Sequence, residues 1–445
     1  MSAHVEKAGA REQVITPDHP DFDSFRATFN GMLDRRPVQI NVCSSVDGVV
    51  AGVRAAREMG VPISVRGGGH AVSGHCVGDG ALVIDLRGMR QVDVNPESRT
   101  AVAQGGATWE DYDTATQRFG LASTGGTFVD TGIAGLTLGG GIGYLQGTQG
   151  FAVDALIGVR VVTADGQLVS ASAEENPDLF WAVRGAGPNF GVVVDFTYRL
   201  QPVEEVYGGS ISYPLSSAAD VLRVMRDIAE SAPDELMLVC AIGRRTGNTV
   251  AIVCFQGSPV EGERVIRPLR EAGTIDADAV RPLSYLEMQA DSELLPFGLR
   301  HYWKGHFVRS VPDDLIDASA AHVMARPSNG FGTLLVEFIN GAPRRVPVES
   351  MAFNERRAVA NASALGIWPS PQDDQAHITW SREFAAMAAP YATQTEYMNY
   401  MTADTGTDRI RSAFGDSKYE RLRELKRRYD PENVFCFNHN IPPAE

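Results

Sequence analysis

The chain is poor in the features that would direct it to a bilayer, a nucleic acid or an oxidising compartment. No uninterrupted apolar run approaches the roughly 18 residues of a spanning helix. Residues 1–20, MSAHVEKAGAREQVITPDHP, hold no apolar core segment, so no secretory signal is read there and a cytoplasmic location is expected. There are only five cysteines: Cys43, Cys76, Cys240, Cys254 and Cys436. They are scattered, odd in number and without paired metal spacing, which points to reduced thiols and no metal site. Basic residues are outnumbered, 40 Lys and Arg against 55 Asp and Glu, leaving a formal charge of -15. Such a surface repels phosphate backbones and anionic lipids, which argues against nucleic acid and membrane as partners and leaves a small molecule. Internal repeats and low-complexity segments are also missing. Nothing in the sequence fixes an oligomeric state.

What is present is glycine, 45 residues of it in a chain of 445, and it is clustered. The length fits two or three domains. In the first part, Val46 to Met59 has helical apolar spacing and stops at Gly60. PISVRGGGH reads as a short strand entering a glycine loop, and Ala81–Leu86 as a second buried strand. Thr108 is placed to cap a helix running to about Phe119 and closed by Gly120. VRVVTADGQLVSAS reads as strand, Asp-Gly turn, strand. Asn176 is expected to cap a helix over Asp178–Val183 with Pro177 in its first position, and Gly191–Leu200 is a further strand. Beyond Pro202 the pattern changes. Helix signals at 216–230, 259–272, 347–362 and 374–388 alternate with strand signals at 236–242, 249–256 and 333–340. The last stretch holds a charged helix at 416–428. The fold class expected is α+β: a first domain over 1–203, a second over 204–403 built on an antiparallel sheet with helices, and a segment 404–445 returning to the first.

Two loops carry the chemistry. Arg66-Gly67-Gly68-Gly69-His70 sets three glycines in a row, each costing roughly 0.5–1 kcal/mol against alanine in ordered structure. Gly135-Leu136-Thr137-Leu138-Gly139-Gly140-Gly141-Ile142-Gly143 has a surface that a flat, bulky ligand can approach closely. Bare backbone N–H groups in such loops can cradle a pyrophosphate. No Gly-Lys-Ser/Thr follows either loop. Neither fits G-x-G-x-x-G between strand and helix, and Gly185-Ala186-Gly187-Pro188-Asn189-Phe190-Gly191 misses that spacing by one residue. The glycines therefore read as a site for a phosphate-bearing cofactor that is not a nicotinamide Rossmann site.

RGGGH at 66–70 followed by SGHCVGDGALVIDL at 73–86 resembles the FAD loop of the vanillyl-alcohol-oxidase or PCMH-type fold, and more closely its berberine-bridge-enzyme branch. AGLTLGGGIGYL at 134–145, ENPDLFWAVRGAGPNFGVVVDF at 175–196 and YDPENVFCFNHNI at 429–441 match that branch in the same order. The nearest flavour is that of bacterial hydroxynicotine oxidase and of tailoring oxidases of secondary metabolism. The resemblance implies FAD, attached through a ring nitrogen of His70 to the flavin's 8α carbon. Relatives with a second link carry a cysteine where this chain has Phe128, so a single link is implied. Arg66, Gly67, Gly68, Gly69 and Ser73 are implied around the pyrophosphate. Thr131, Gly132, Gly135, Gly139, Gly140 and Gly141 are implied along the flavin and ribityl chain. Gly187, Asn189, Gly191 and Val193 would flank the cofactor, and Asn438 and Asn440 would reach the polar edge of its ring system.

On the substrate side, Tyr397 and Asn399 lie in a Tyr-x-Asn-Tyr segment whose tyrosine serves as a base in relatives. A phenol's ordinary pKa near 10 requires a cation or hydrogen bond to make it a base at neutral pH. Lys304 is a candidate source of that field, and Tyr302 is the other candidate base. Tyr144 and Gln146 are candidates for the flavin face, and Glu337 for a carboxylate pointing into the site. The activity implied is an FAD-linked oxidase: hydride passes from a small organic substrate to the flavin, with O2 as the final acceptor. A tailoring enzyme coupling oxidation to cyclisation, a dehydrogenase that does not use O2, and a flavin-binding sensor remain open alternatives. Valine at Gly68 or Gly140 is expected to harm cofactor loading far more than folding.

Overall fold

The computed structural model describes residues 12–243, 247–291 and 294–445. A four-stranded sheet comes first, in the order Gln13–Ile15, Gln39–Val42, Leu82–Asp85, Ile63–Arg66. Its last three strands run parallel, and the first is antiparallel at the edge. The helix Val46–Met59 covers this sheet with Val49, Val53 and Ala56. Ser45 caps it by accepting the Gly48 N–H, and Gly60 closes it at φ 66°. The Ile63–Arg66 strand therefore delivers the glycine loop at its carboxyl end, where parallel sheets present ligand crevices.

The second sheet is antiparallel and five-stranded, in the order Val92–Asn95, Thr100–Gln104, Val192–Arg199, Leu156–Val162, Leu168–Ser172. Thr108 starts the helix Trp109–Gln117 with a full capping box shared with Asp111, a device worth about 1 kcal/mol. The expected Asn176 cap is corrected. Pro177 does open the helix Pro177–Ala186, but Asn176 sits at φ 47° and caps nothing. Its amide turns back to donate to the Ser170 carbonyl, holding the preceding turn instead.

From Glu205 onward the chain builds an eight-stranded sheet, all of whose pairings are antiparallel. Its central strands are Leu236–Ile242, Phe331–Phe338 and Ala360–Trp368, with Arg300–Val308 at one edge. One face packs helices Ala218–Ser231, Pro259–Arg270 and Asp374–Ala388 through residues such as Leu222, Ile266 and Phe384. The other face turns Met237, Val239 and Phe307 toward Ile142, Tyr144 and Phe151 of the first part of the chain. The helix expected over 347–362 is absent. A short 3-10 turn, Val348–Ser350, is followed by the strand Ala360–Trp368, every residue of which is buried. Its alanines favour helix in isolation, but small side chains let Trp380 and Phe384 of the covering helix lie close to the sheet. The charged helix Asp416–Tyr429 packs Tyr419, Leu422 and Leu425 into the same core as Trp109 and Tyr198. Among the described residues, no helix is long and apolar enough to cross a membrane.

Candidate active site

Between the two glycine loops and the eight-stranded sheet lies a cavity of about 250 Å³. Gly67, Gly68, Gly69, His70 and Ser73 line it from the first loop. Thr131, Gly132, Gly135 and Gly139 line it from the second, with Asn189, Gly191, Val193 and Asn438 beside them. Tyr397, Asn399, Tyr400, Trp303 and Glu337 close it on the sheet side. Arg66, Gly140, Gly141, Gly187, Asn440, Tyr302 and Lys304 are not among the residues lining it.

The glycines have two different jobs. A Cβ on Gly68 would lie 2.5 Å from the Gly132 nitrogen, so the two loops touch backbone to backbone. A Cβ on Gly140, which sits at φ 114°, would lie 2.5 Å from the Phe353 ring. Both glycines therefore serve packing within the protein, and the expectation that valine there harms loading far more than folding is revised. Gly139 leaves room for the Asn399 amide. Gly135 is the one that opens onto the cavity, since a Cβ there would meet nothing within 4 Å. Arg66 braces the first loop from behind, its guanidinium donating to the carbonyls of Phe25 and Ala27, each at 2.8 Å.

His70 leaves the end of its strand with its ring stacked on Phe29, centroids 4.0 Å apart, and Phe29 stacks in turn on His301 at 4.1 Å. The Nε2 of His70 is buried without a hydrogen bond, its nearest carboxylate oxygen being that of Asp130 at 3.6 Å. The Phe128 ring stands 6.5 Å from the His70 ring. Two histidines not singled out from the sequence also line the cavity. Burial pushes His75 down to about 3 and His439 to about 4, so both are neutral at pH 7. Asn189 uses its amide to hold the C-terminal segment, accepting from the Ile441 N–H at 2.9 Å. Asn438 donates to the Pro188 and Phe435 carbonyls and keeps a buried, unpartnered Oδ1. The Oδ1 of Asn440 is likewise buried without a partner. An orphaned imidazole nitrogen, a glycine open to the cavity and an unpartnered amide oxygen suit a flat, polar-edged ligand held by a glycine cradle.

The tyrosines separate by face. Side chains alternate along the Arg300–Val308 strand. Trp303 faces the cavity, whereas Tyr302 turns to the helix Asp374–Ala388, accepting from Arg382 Nε and donating to Asp404, each at 2.8 Å. Lys304 stays with Asp404, 3.8 Å away. Its charge is thus spent on a carboxylate rather than on Tyr397. Tyr397 is buried, and its oxygen accepts from the Ile142 N–H at 3.0 Å and from Asn399 at 3.2 Å. Burial, and then the nearby Glu337, still push this phenol above its ordinary range against those donors. Glu337 is also buried. Burial lifts its carboxyl to about 7, opposed by the Asn361 amide at 2.7 Å and the Tyr400 hydroxyl at 3.3 Å. Tyr144 lines a second cavity beyond Glu337. Gln146 is buried elsewhere, donating to the Phe338 carbonyl.

This architecture is α+β with an FAD-type glycine cradle roofed by an antiparallel sheet. Residues 37–172 match the family described as FAD binding domain, and residues 396–442 that described as berberine and berberine like. An FAD-linked oxidoreductase of Aspergillus terreus is 44% identical over 402 residues, covering 82% of this chain and 79% of its own. The (R)-6-hydroxynicotine oxidase of Paenarthrobacter nicotinovorans is 30% identical, covering 97% of this chain and 96% of its own. The crystal structure of 6-hydroxy-D-nicotine oxidase from Arthrobacter nicotinovorans superposes with a TM-score of 0.88 at 29% identity, with 98% of both chains covered. The chain belongs to the FAD-linked oxidoreductases with a PCMH-type FAD-binding fold and a berberine-type C-terminal segment. It is an FAD enzyme.

Proposed function

We propose that this chain is an oxidase that removes a proton and a hydride from a small organic alcohol or amine, with FAD joined to His70 and O2 as the final acceptor. The observation that carries the reading is the single cavity running from the orphaned Nε2 of His70 to the buried carboxyl of Glu337. Bound FAD supplies the two-electron acceptor. Gly67–Gly69, Ser73 and Thr131–Gly135 would hold it, and His70 would tether it. Glu337 takes the substrate's proton. A carboxyl lifted to about 7 is half ionised near neutrality, which suits a general base. Tyr397 then acts as a neutral hydrogen-bonding group, because burial and the Glu337 charge disfavour its phenolate. Asn399 positions Tyr397 by bridging its hydroxyl and the Leu136 carbonyl. We assign 12–203 and 404–445 to one FAD-binding unit, supported by the core that Ile410, Phe414 and Leu422 share with Trp109 and Phe196.

The test is mass spectrometry of denatured protein with anaerobic and aerobic turnover. Wild type should carry one FAD equivalent after denaturation, and His70→Ala should release it. A substrate that bleaches the flavin without O2 should yield peroxide when O2 is admitted. Flavin fully extractable from wild type would sink the tether. Bleached flavin that stays reduced in air would sink the oxidase assignment.

A further inference from the structure

The second cavity tells what kind of molecule this site takes, an inference that rests on the oxidase reading above. It is about 80 Å³ and shares Thr127, Phe128 and Glu337 with the first, so it continues the same site away from the glycine loops. Its floor is one face of the large sheet. Val239 and Ala241, Ile252, Leu335, Leu365 and Ile367 come from four strands at alternate positions, and all six are aliphatic. The pairing keeps them side by side: Ala241 lies opposite Leu335, and Val239 opposite Glu337. Among the described residues, no Lys, Arg or Asp lines either cavity, and Glu337 is the one carboxylate. The other polar groups of the second cavity are the hydroxyls of Thr127, Tyr144 and Thr333.

Such walls discriminate. A sugar brings many hydroxyls, and each one buried without a partner costs roughly tenfold in affinity. A carboxylate or phosphate would meet no cation and would face the negative charge of Glu337. An apolar ring gains from burial against the aliphatic floor. We propose that the substrate is an uncharged, ring-bearing apolar molecule with one proton-bearing oxygen or nitrogen. Its body lies on the Val239–Ile367 face, and its single O–H or N–H points at Glu337. Carbohydrates and organic acids are excluded by the same geometry.

The flavin-loaded protein can be titrated without O2 with four probes: 2-naphthylmethanol, the uncharged arylamine N-methyl-2-naphthylamine, 2-naphthoate and cellobiose. Perturbation or bleaching of the flavin spectrum gives half-saturation. The alcohol or the amine should bind on the order of 100-fold tighter than cellobiose and at least about tenfold tighter than 2-naphthoate. Which of the two leads sorts O–H from N–H substrates. Ala241→Phe fills the cavity floor and should weaken the preferred naphthyl probe about tenfold or more with flavin content unchanged. Leu365→Asn serves the same purpose should that variant not fold. Cellobiose or 2-naphthoate matching the alcohol and amine overturns the proposal. So does a loaded enzyme that responds to none of the four, or an Ala241→Phe variant with wild-type affinity. Protein that takes up no flavin would instead sink the oxidase reading itself, so the two failures are distinct.

Discussion

Glu337 and Tyr397 are both buried beside one cavity, and the charge of one raises the cost of ionising the other. The first proton to leave this pair leaves Glu337. With Glu337 as base, flavin reduction should accelerate as pH rises through about 7 and then level, because the carboxylate is the active form. Glu337→Gln should slow reduction by roughly 10²–10⁴-fold and flatten that profile. Tyr397→Phe should slow it less and keep the profile. Anaerobic stopped-flow across pH reads both, and a flat wild-type profile with a crippled Tyr397→Phe would return the role of base to the phenol. Asp113 offers a separate test, away from the flavin site. It is fully buried, its Oδ2 accepts from Gln289 at 2.7 Å and its Oδ1 has no partner. Burial lifts it from 3.8 to about 7. Between those values the folded state holds more protons than the unfolded one, so stability falls as pH rises through that window and stays lowered above it. Asp113→Asn keeps an acceptor for Gln289 and removes the penalty. Its melting temperature should exceed wild type at about pH 8 by an amount worth a few kcal/mol, and the gain should vanish below about pH 4.

The glycine loops act as elements whose residues are not interchangeable. Gly68 abuts the Gly132 backbone, whereas Gly135 opens onto the cavity. Gly68→Val should therefore lower both thermal stability and FAD content, because one loop must move off the other. Gly135→Val should leave the cofactor-free protein's melting temperature close to wild type and abolish FAD uptake. Calorimetry of cofactor-free protein beside flavin absorbance separates the two. Equal behaviour of the two variants would mean that the loops form one undifferentiated turn. The strand Arg300–Val308 makes the same point about sides. Its alternation sends Trp303 to the cavity and commits Tyr302 to Arg382 and Asp404. Tyr302→Phe should accordingly leave the rate of flavin reduction within a few-fold of wild type.

At the scale of the whole molecule, the C-terminal helix Asp416–Tyr429 is locked to the cofactor side by one buried cation. Lys426 Nζ donates to Asp430, to the Asn189 carbonyl and to the Phe435 carbonyl, and neither side chain of the Lys426–Asp430 pair is exposed. Lys426→Met would leave Asp430 buried and unpaired, which typically costs about 3–5 kcal/mol. The variant should melt earlier, and its FAD content should fall too, since Asn189 lines the cavity. A double change, Lys426→Met with Asp430→Asn, should recover only part of the stability: it removes the buried charge, but the two carboxylate oxygens accept the Val434 and Phe435 N–H groups, and an amide nitrogen accepts neither. Loss of stability without loss of FAD would show that the C-terminal segment is not part of the cofactor site.

The first glycine loop, the Thr108 cap, the Gly60 stop and the strands Leu236–Ile242 and Thr249–Phe255 were legible from the chain alone, whereas the stretch read as a second loop begins inside the helix Ile133–Leu138. Each depends on residues within a few positions of one another, where backbone sterics and local hydrogen bonds decide the outcome. The FAD assignment was legible for the same reason, since contiguous motifs carry it. The faces of the large sheet were not. A period of two separates Trp303 from Tyr302 and Lys304, but which set meets the cofactor depends on what packs across each face. The helix expected over 347–362 ran into the start of the strand Ala360–Trp368, whose alanines have no local preference for a sheet, and only the strands on either side impose one. Glu337 belongs to this second group as well. The sequence offered it as a carboxylate pointing into the site, but only enclosure between the sheet and the glycine loops lifts it to about 7, because desolvation is a property of the whole surroundings.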